Sequence, residues 1–381
     1  MSEAVILEAL RTPFGRHHGA LSDIPPDRLL ADLLIQLFQK VEISPENISD
    51  VTVGAVTQIG EQAANVGRLA VLLSGMPVEI PAFTVNRACA SSQQSVHSIS
   101  QAIEVGDLDY GIAAGVESMT RVPMFSDIEG SLGNLNPELE SRFDLVHQGE
   151  SAERVASTWK ISRKECDKFA AESHLKASKA LSSEIVPLKI QGETGASRCV
   201  KYDEGIRDPV DLIEMESLKT VFRSAEYGVL TAGNSSQISD GASVLLIGER
   251  RRSEADGLRP RARFRARVVV GADPSLQFTG ILAATPKALE RAGLEIQDLD
   301  WIEINEAFAP VPLMWLREFD GISERVNPWG GAIAHGHPLG ATGGGLMAKM
   351  LAGLESIDGQ FGLQLMCAAH GLATATIVER L

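Results

Sequence analysis

The chain has 381 residues, 44% hydrophobic and 22% charged, with a formal net charge of -15 at pH 7. That length exceeds one simple core and implies two or three domain-sized units of ordinary globular material. The acidic balance excludes broad nucleic-acid binding and polybasic membrane contact, both of which need clustered Lys and Arg, so an anionic ligand would require a local basic pocket.

The opening MSEAVILEAL runs straight into an apolar, strand-like stretch at 4–7 with no basic n-region, so no signal peptide is expected. No run reaches about 18 consecutive apolar residues, so no bilayer span is expected, and reducing cytoplasm is the expected compartment. Next come a helix-length pattern at 27–40, a strand at 51–56, a second helix at 92–104 and a strand at 110–114. This alternation argues a layered α/β fold. Residues 119–239 differ: polar turns such as SDIEGSLGNLNPE (126–138) surround an amphipathic helix near 162–180, where Ser162 with Glu165 makes a capping box. RRSEADGLRPRARFRAR (251–267) reads as a basic solvated hinge, with a phosphate site as the other reading.

An internal echo sharpens the organisation. VEISPENISDVTVG (41–54) resembles AGLEIQDLDWIEIN (292–305); Val85-Asn86 is matched by Val326-Asn327, and GDLDYGIAAGVES (106–118) by GQFGLQLMCAAHG (359–371). Three landmarks in one order indicate a duplicated half. The expected domains are 1–118 with 240–260 as the first half, 119–239 as an insertion, and 261–381 as the second half.

Four stretches carry candidate chemistry. VNRACASSQQSV (85–96) sets Cys89 just before a helical pattern. WIEINEAFAPV (301–311) breaks a buried strand pattern with Asn305 and Glu306, where polar groups face the crevice at strand ends. NPWGGAIAHGHPLGATGGG (327–345) places His335 and His337 in a glycine-dense loop ahead of a helix, and LMCAAHGLATAT (365–376) puts Cys367 at a strand end. Taken singly, each has a plainer reading: an inert core thiol, a capping Asn, a tight turn with structural histidines. The four cysteines (Cys89, Cys166, Cys199, Cys367) show no CxxC pair and no zinc spacing with histidine, so neither a metal site nor a disulfide framework is expected. Pseudosymmetry would bring Cys89, His337 and Cys367 to one cleft.

VNRACASS, AAGVESM, TAGNSSQISDGA, INEAFA, NPWGGAIAHGHPLGATG and MCAAHG occur in the order and at roughly the spacing of the thiolase family, and the resemblance covers essentially the whole chain. It implies two thiolase-like halves, each a mixed five-stranded sheet with helices in an α/β/α/β/α layering, plus an inserted loop domain. It also implies reversible carbon-carbon bond cleavage in a 3-ketoacyl-CoA, with CoA as a substrate and no cofactor, and a homodimer or homotetramer.

Carried over by position, Cys89 resembles the nucleophile, shifted toward its thiolate by the helix N-terminus and a histidine. His337 resembles its base, and Cys367 the second acid/base. Asn305, through a held water, and His337 would serve one oxyanion pocket, and the N–H groups of Cys89 and Ala369 the other. Similarity assigns Arg207, Ser236 and His147 to CoA, and Ala307 and Phe308 to the thioester channel. Two departures stand out: Ala369-His370-Gly371 replaces the usual glycine triplet, and Gln148 follows His147 where acetoacetyl-CoA-forming members often carry Met. Gln148 and its neighbourhood favour the degradative branch. The alternatives are a biosynthetic acetoacetyl-CoA thiolase, an acyl-CoA binder without thiolysis, and a ketoacyl-carrier-protein synthase, against which Cys367 and NEAFA speak.

Overall fold

All eight residues of the strand Ala4–Arg11 are buried, the signature of a strand covered on both faces rather than half-exposed. The structure, a computed structural model, describes residues 2–129, 136–191 and 197–381, so the polar turn at 126–138 falls partly outside the described residues. Ala4–Arg11 pairs antiparallel with Ser239–Glu249, which pairs antiparallel with Tyr110–Ser118. Parallel strands Asp50–Gly54 and Ala82–Val85 complete this half.

The second half repeats the pattern. Ala262–Gly271, Leu372–Arg380 and Phe361–Ala368 pair antiparallel in turn, and Trp301–Ile304 adds in parallel. Val326 makes a parallel bridge to Ile302 where the first half has its edge strand. The two sets meet edge to edge through Val5 with Arg263 and Ile6 with Ala262, forming one ten-stranded sheet that includes the short strand Gly15–Arg16. The echoed stretches at 41–54 and 292–305 thus lie at equivalent places, each leading into a parallel strand.

Between the two sheet portions lie helices Ser91–Val105 and Leu339–Ser356, the latter buried from Leu339 through Leu354. Glycine permits their approach: a Cβ on Gly343 would sit 2.6 Å from the Gln93 main-chain nitrogen. Gly344 N donates to Ser92 Oγ at 2.8 Å, pinning one helix to the other. This seam positions the candidate site, since Cys89 precedes one helix and His337 the other.

In the middle region, Ser162 N donates to Glu165 Oε2 at 2.7 Å and Glu165 N to Ser162 Oγ at 3.3 Å, closing the expected capping box on helix Arg163–Ser178. Only the first part of the basic stretch at 251–267 is solvated, with Arg251, Arg252 and Arg259 exposed. Its second part enters the strand Ala262–Gly271, where Arg263 and Arg265 pair with Glu379 at 2.9 and 2.8 Å, and Arg267 pairs with Glu104. The run reads as a linker because its acidic partners come from distant strands and helices. Among the described residues no helix is long and apolar enough to cross a membrane.

Candidate active site

Cys89 is delivered by a tight elbow. After strand Ala82–Val85, Asn86 Nδ2 donates to Val56 O at 2.9 Å and its Oδ1 accepts the Ala88 N–H at 2.8 Å. Ser91 Oγ takes the Arg87 N–H at 2.8 Å and donates to Ala88 O at 2.6 Å. These bonds hold Ala88 at φ 46°, a left-handed conformation costing a β-carbon residue about 1–2 kcal/mol. The strain lies one residue before Cys89, which ends 4% exposed ahead of the helix.

Three further groups arrive from the other half, each at an element's end. Cys367 is the penultimate residue of Phe361–Ala368, Asn305 directly follows Trp301–Ile304, and His337 precedes Leu339–Ser356. Asn305 Nδ2 lies 3.4 Å from His337 Nε2 and 4.0 Å from Cys367 Sγ, and Cys367 Sγ is 3.9 Å from Asn305 O. Cys89 packs in one buried cluster with Met366 and Ala368, which flank Cys367, and with Leu339, two residues after His337, so the groups from the two halves share one centre. Asn305 Oδ1 is buried with no partner among the described residues, so the amide turns its Nδ2 donor toward His337 and Cys367.

The electrostatics overturn one expectation. Burial pushes the Cys89 thiol up to about 12, with the Glu117 carboxylate adding to the rise, so the resting group is a thiol and not a thiolate. Dehydration outweighs the helix terminus. His337 supplies no compensating charge, because burial pushes it down to about 4 and leaves a neutral imidazole. Cys367 is likewise raised, burial being the main cause.

Glu117, in AAGVESM, is a buried link at the site that the motif did not single out. Completely buried, it accepts main-chain N–H bonds from Val56 at 2.9 Å, Thr57 at 3.1 Å and Gly340 at 2.8 Å, plus Gln62 Nε2 at 2.7 Å. It ties the floor beneath Cys89 to the loop carrying His337.

Two cavities meet at the centre. One of about 520 Å³ is lined by Arg207, Ser236, His147, Ala307 and Phe308, and His337 reaches its wall. The three residues assigned to CoA and the two assigned to the thioester channel therefore face one space. Arg16 and His17 of the N-terminal RTPFGRHHG also line it. They were missed, although adjacent cationic and imidazole groups in an acidic chain are a usable signal. His147 stacks on Phe222 with ring centroids 5.3 Å apart.

Ala369 faces a second cavity, of about 250 Å³, which Cys89, His370 and Leu372 also line. Met124, Gln148 and Leu339 border both. The Ala369-His370-Gly371 turn keeps the left-handed backbone at His370 (φ 60°) and Gly371 (φ 79°). Gln277 braces it: its Oε1 accepts the His370 N–H at 3.2 Å while its Nε2 donates to Val146 O at 2.8 Å.

Known proteins are similar to this chain in sequence and fold. Residues 4–251 match the family model "Thiolase, N-terminal domain" and residues 258–380 match "Thiolase, C-terminal domain". The chain is 41% identical to a steroid 3-ketoacyl-CoA thiolase of Mycobacterium tuberculosis, covering 100% of this chain and 95% of that one. It is 40% identical to a 3-oxoadipyl-CoA/3-oxo-5,6-dehydrosuberyl-CoA thiolase of Escherichia coli, with both chains covered in full. It also superposes on the crystal structure of human mitochondrial 3-ketoacyl-CoA thiolase with a TM-score of 0.90 at 31% identity, over 100% of this chain and 99% of that one.

Proposed function

Since the chain belongs to the thiolase family, we propose that it is a degradative 3-ketoacyl-CoA thiolase, an acyltransferase working through an acyl group on Cys89. Cys89 Sγ attacks the 3-keto carbon as its proton passes to His337 Nε2. The bond between C2 and C3 then breaks, leaving the acyl group on sulfur and the enolate of acetyl-CoA, whose C2 takes a proton from Cys367. A second CoA thiol gives its proton to Cys367 and attacks the acyl carbon, releasing the shortened acyl-CoA, and His337 returns its proton to the departing sulfur to restore the Cys89 thiol.

The observation that carries this reading is the convergence of Asn305, His337 and Cys367 within 4.0 Å steps, in a centre whose flanking residues Leu339, Met366 and Ala368 pack with Cys89. Asn305 and His337 face the enolate oxygen, while the Cys89 and Ala369 N–H groups face the oxygen on the acyl carbon. Loss of one donor of this kind typically slows catalysis by about 100-fold to 1000-fold. Arg16 and Arg207 set cationic groups on the 520 Å³ cavity, which suits anionic CoA in an otherwise acidic chain. The separate 250 Å³ cavity beyond Cys89 offers room for more than an acetyl group, which favours degradation over acetoacetyl-CoA synthesis.

CoA and acyl-CoA are the proposed substrates, without a metal or cofactor, and the cytoplasm is the proposed compartment. Homodimer formation fits the edge strand Ala82–Val85, whose outer side has no partner strand among the described residues, and the exposed Phe83, Leu72 and Leu73 nearby.

Incubation with a medium-chain 3-ketoacyl-CoA and intact-protein mass spectrometry test this function. One acyl group on Cys89, removed by free CoA, is the expected result. An unmodified protein, or an adduct that CoA cannot release, would overturn it; rates across chain length separate degradative from acetoacetyl-CoA-forming activity.

A further inference from the structure

His337 Nδ1 lies 2.7 Å from Thr342 Oγ1, and Thr342 Oγ1 lies 2.8 Å from the Pro338 carbonyl oxygen. The direction of these two bonds follows from their end points. A carbonyl oxygen only accepts, so the Thr342 hydroxyl proton points at Pro338 O. The hydroxyl oxygen then has only lone pairs to offer the ring, and Nδ1 must carry the proton that fills the 2.7 Å gap. Helix geometry holds the hydroxyl in place: Thr342 sits in the first turn of Leu339–Ser356, its own N–H also donates to Pro338 O at 3.0 Å, and its side chain is completely buried.

We infer that Thr342 is a positioning residue for the thiolase reaction, fixing His337 in the Nδ1–H tautomer so that Nε2 presents a lone pair to the reacting centre. The inference rests on the proposed role of His337 as the base for Cys89. The neighbouring contact agrees with it, since Asn305 Nδ2, which only donates, lies 3.4 Å from Nε2.

The same arrangement accounts for two roles of one ring. Before attack, Nε2 accepts. As the Cys89 S–H bond breaks and the Nε2–H bond forms, the sulfur lone pair makes the new S–C bond and the carbonyl π pair moves to oxygen. Nε2 is then a donor pointing into the centre. With the opposite tautomer, Nε2 would begin as a donor and could not take the thiol proton. Because the group behind Nδ1 is a hydroxyl rather than a carboxylate, it orients the ring without placing a negative charge behind it.

Thr342→Val and Thr342→Ser, read beside wild type and His337→Ala, test the assignment. Val keeps the β-branched shape but removes the acceptor, and Ser keeps the hydroxyl. In the wild-type protein, 15N NMR of His337 is expected to show a protonated Nδ1 and an unprotonated Nε2. Thr342→Val is expected to lose this pattern and to lower kcat about 100-fold with KM for acyl-CoA within about threefold, as misplaced catalytic groups do. Thr342→Ser is expected to keep the pattern and recover kcat to within about fivefold of wild type. A wild-type spectrum with the proton on Nε2 overturns the inference even if Thr342→Val fails to fold. Wild-type kcat in a folded Thr342→Val also overturns it, provided His337→Ala is inactive; an active His337→Ala would instead remove the proposed role of His337 itself.

Discussion

Glu117 Oε2 accepts the Gly340 main-chain N–H at 2.8 Å, a bond that joins the strand beneath Cys89 to the start of the helix following His337. The carboxylate uses both oxygens on four donors, two per oxygen. Glu117→Gln would turn an NH₂ toward one pair of them and leave buried N–H groups unpaired, at about 1–3 kcal/mol each. The expected outcome is a Tm lowered by several degrees with a drop in kcat, measured by calorimetry and steady-state rates. An unchanged Tm would show that these bonds contribute nothing to the folded state.

The raised Cys89 and lowered His337 pKa values give the free enzyme a definite pH signature. A thiol held at about 12 ionises slightly at neutral pH, and its thiolate fraction grows about tenfold per pH unit below that value. Iodoacetamide should therefore inactivate the protein at a rate that climbs between pH 7 and 9 without levelling off. Because the His337 base form is lost only as pH falls through about 4, no acid limb from this residue is expected near pH 6. A plateau in alkylation below pH 8 would indicate a thiolate-imidazolium pair at rest.

Asn305→Ala removes the amide 3.4 Å from His337 Nε2 while leaving both cysteines in place. It should lower kcat by about 100-fold to 1000-fold while KM changes little, as expected for a donor that acts mainly as charge develops. Comparable losses in KM and none in kcat would assign Asn305 to ground-state binding.

Arg16 and Arg207 face the same cavity from different parts of the chain. Ala at either position should raise KM for CoA about tenfold and flatten its dependence on ionic strength, because a screened charge contact has been removed. Acylation of Cys89 at saturating acyl-CoA should persist. KM values equal to wild type across the salt series would place the CoA phosphates elsewhere.

Gly343→Ala tests the helix seam. Its new methyl would meet the Gln93 main-chain nitrogen at 2.6 Å, and backbone cannot yield as a flexible side chain does. Overpacking of this kind costs about 1–3 kcal/mol. Thermal unfolding should move downward accordingly, and an unshifted Tm would mean that the two helices have slack between them.

The four groups that the structure brings together, and that are proposed to react, were legible because each stands at an interruption: Cys89 before a helical pattern, Asn305 breaking an apolar strand, His337 among glycines, Cys367 closing a strand. The duplicated strand landmarks were legible for a similar reason, since turn and strand patterns are local. Glu117 was not, because its value lies in four donors from three separate segments. Arg263, Arg265 and Arg267 were misjudged as solvated because Glu379 and Glu104 lie far away in the chain. The Cys89 ionisation was misjudged because helix position can be read along a chain, whereas loss of water depends on everything packed around the sulfur.

The close fit between helices Ser91–Val105 and Leu339–Ser356 makes the chemistry a gauge of how the two repeats are seated. A slip of one repeat past the other would pull Cys89 away from Cys367 while each repeat kept its own strands paired. Damage confined to that boundary should thus appear first as lost turnover and only later as lost secondary structure, giving the enzyme a functional failure point that precedes its melting.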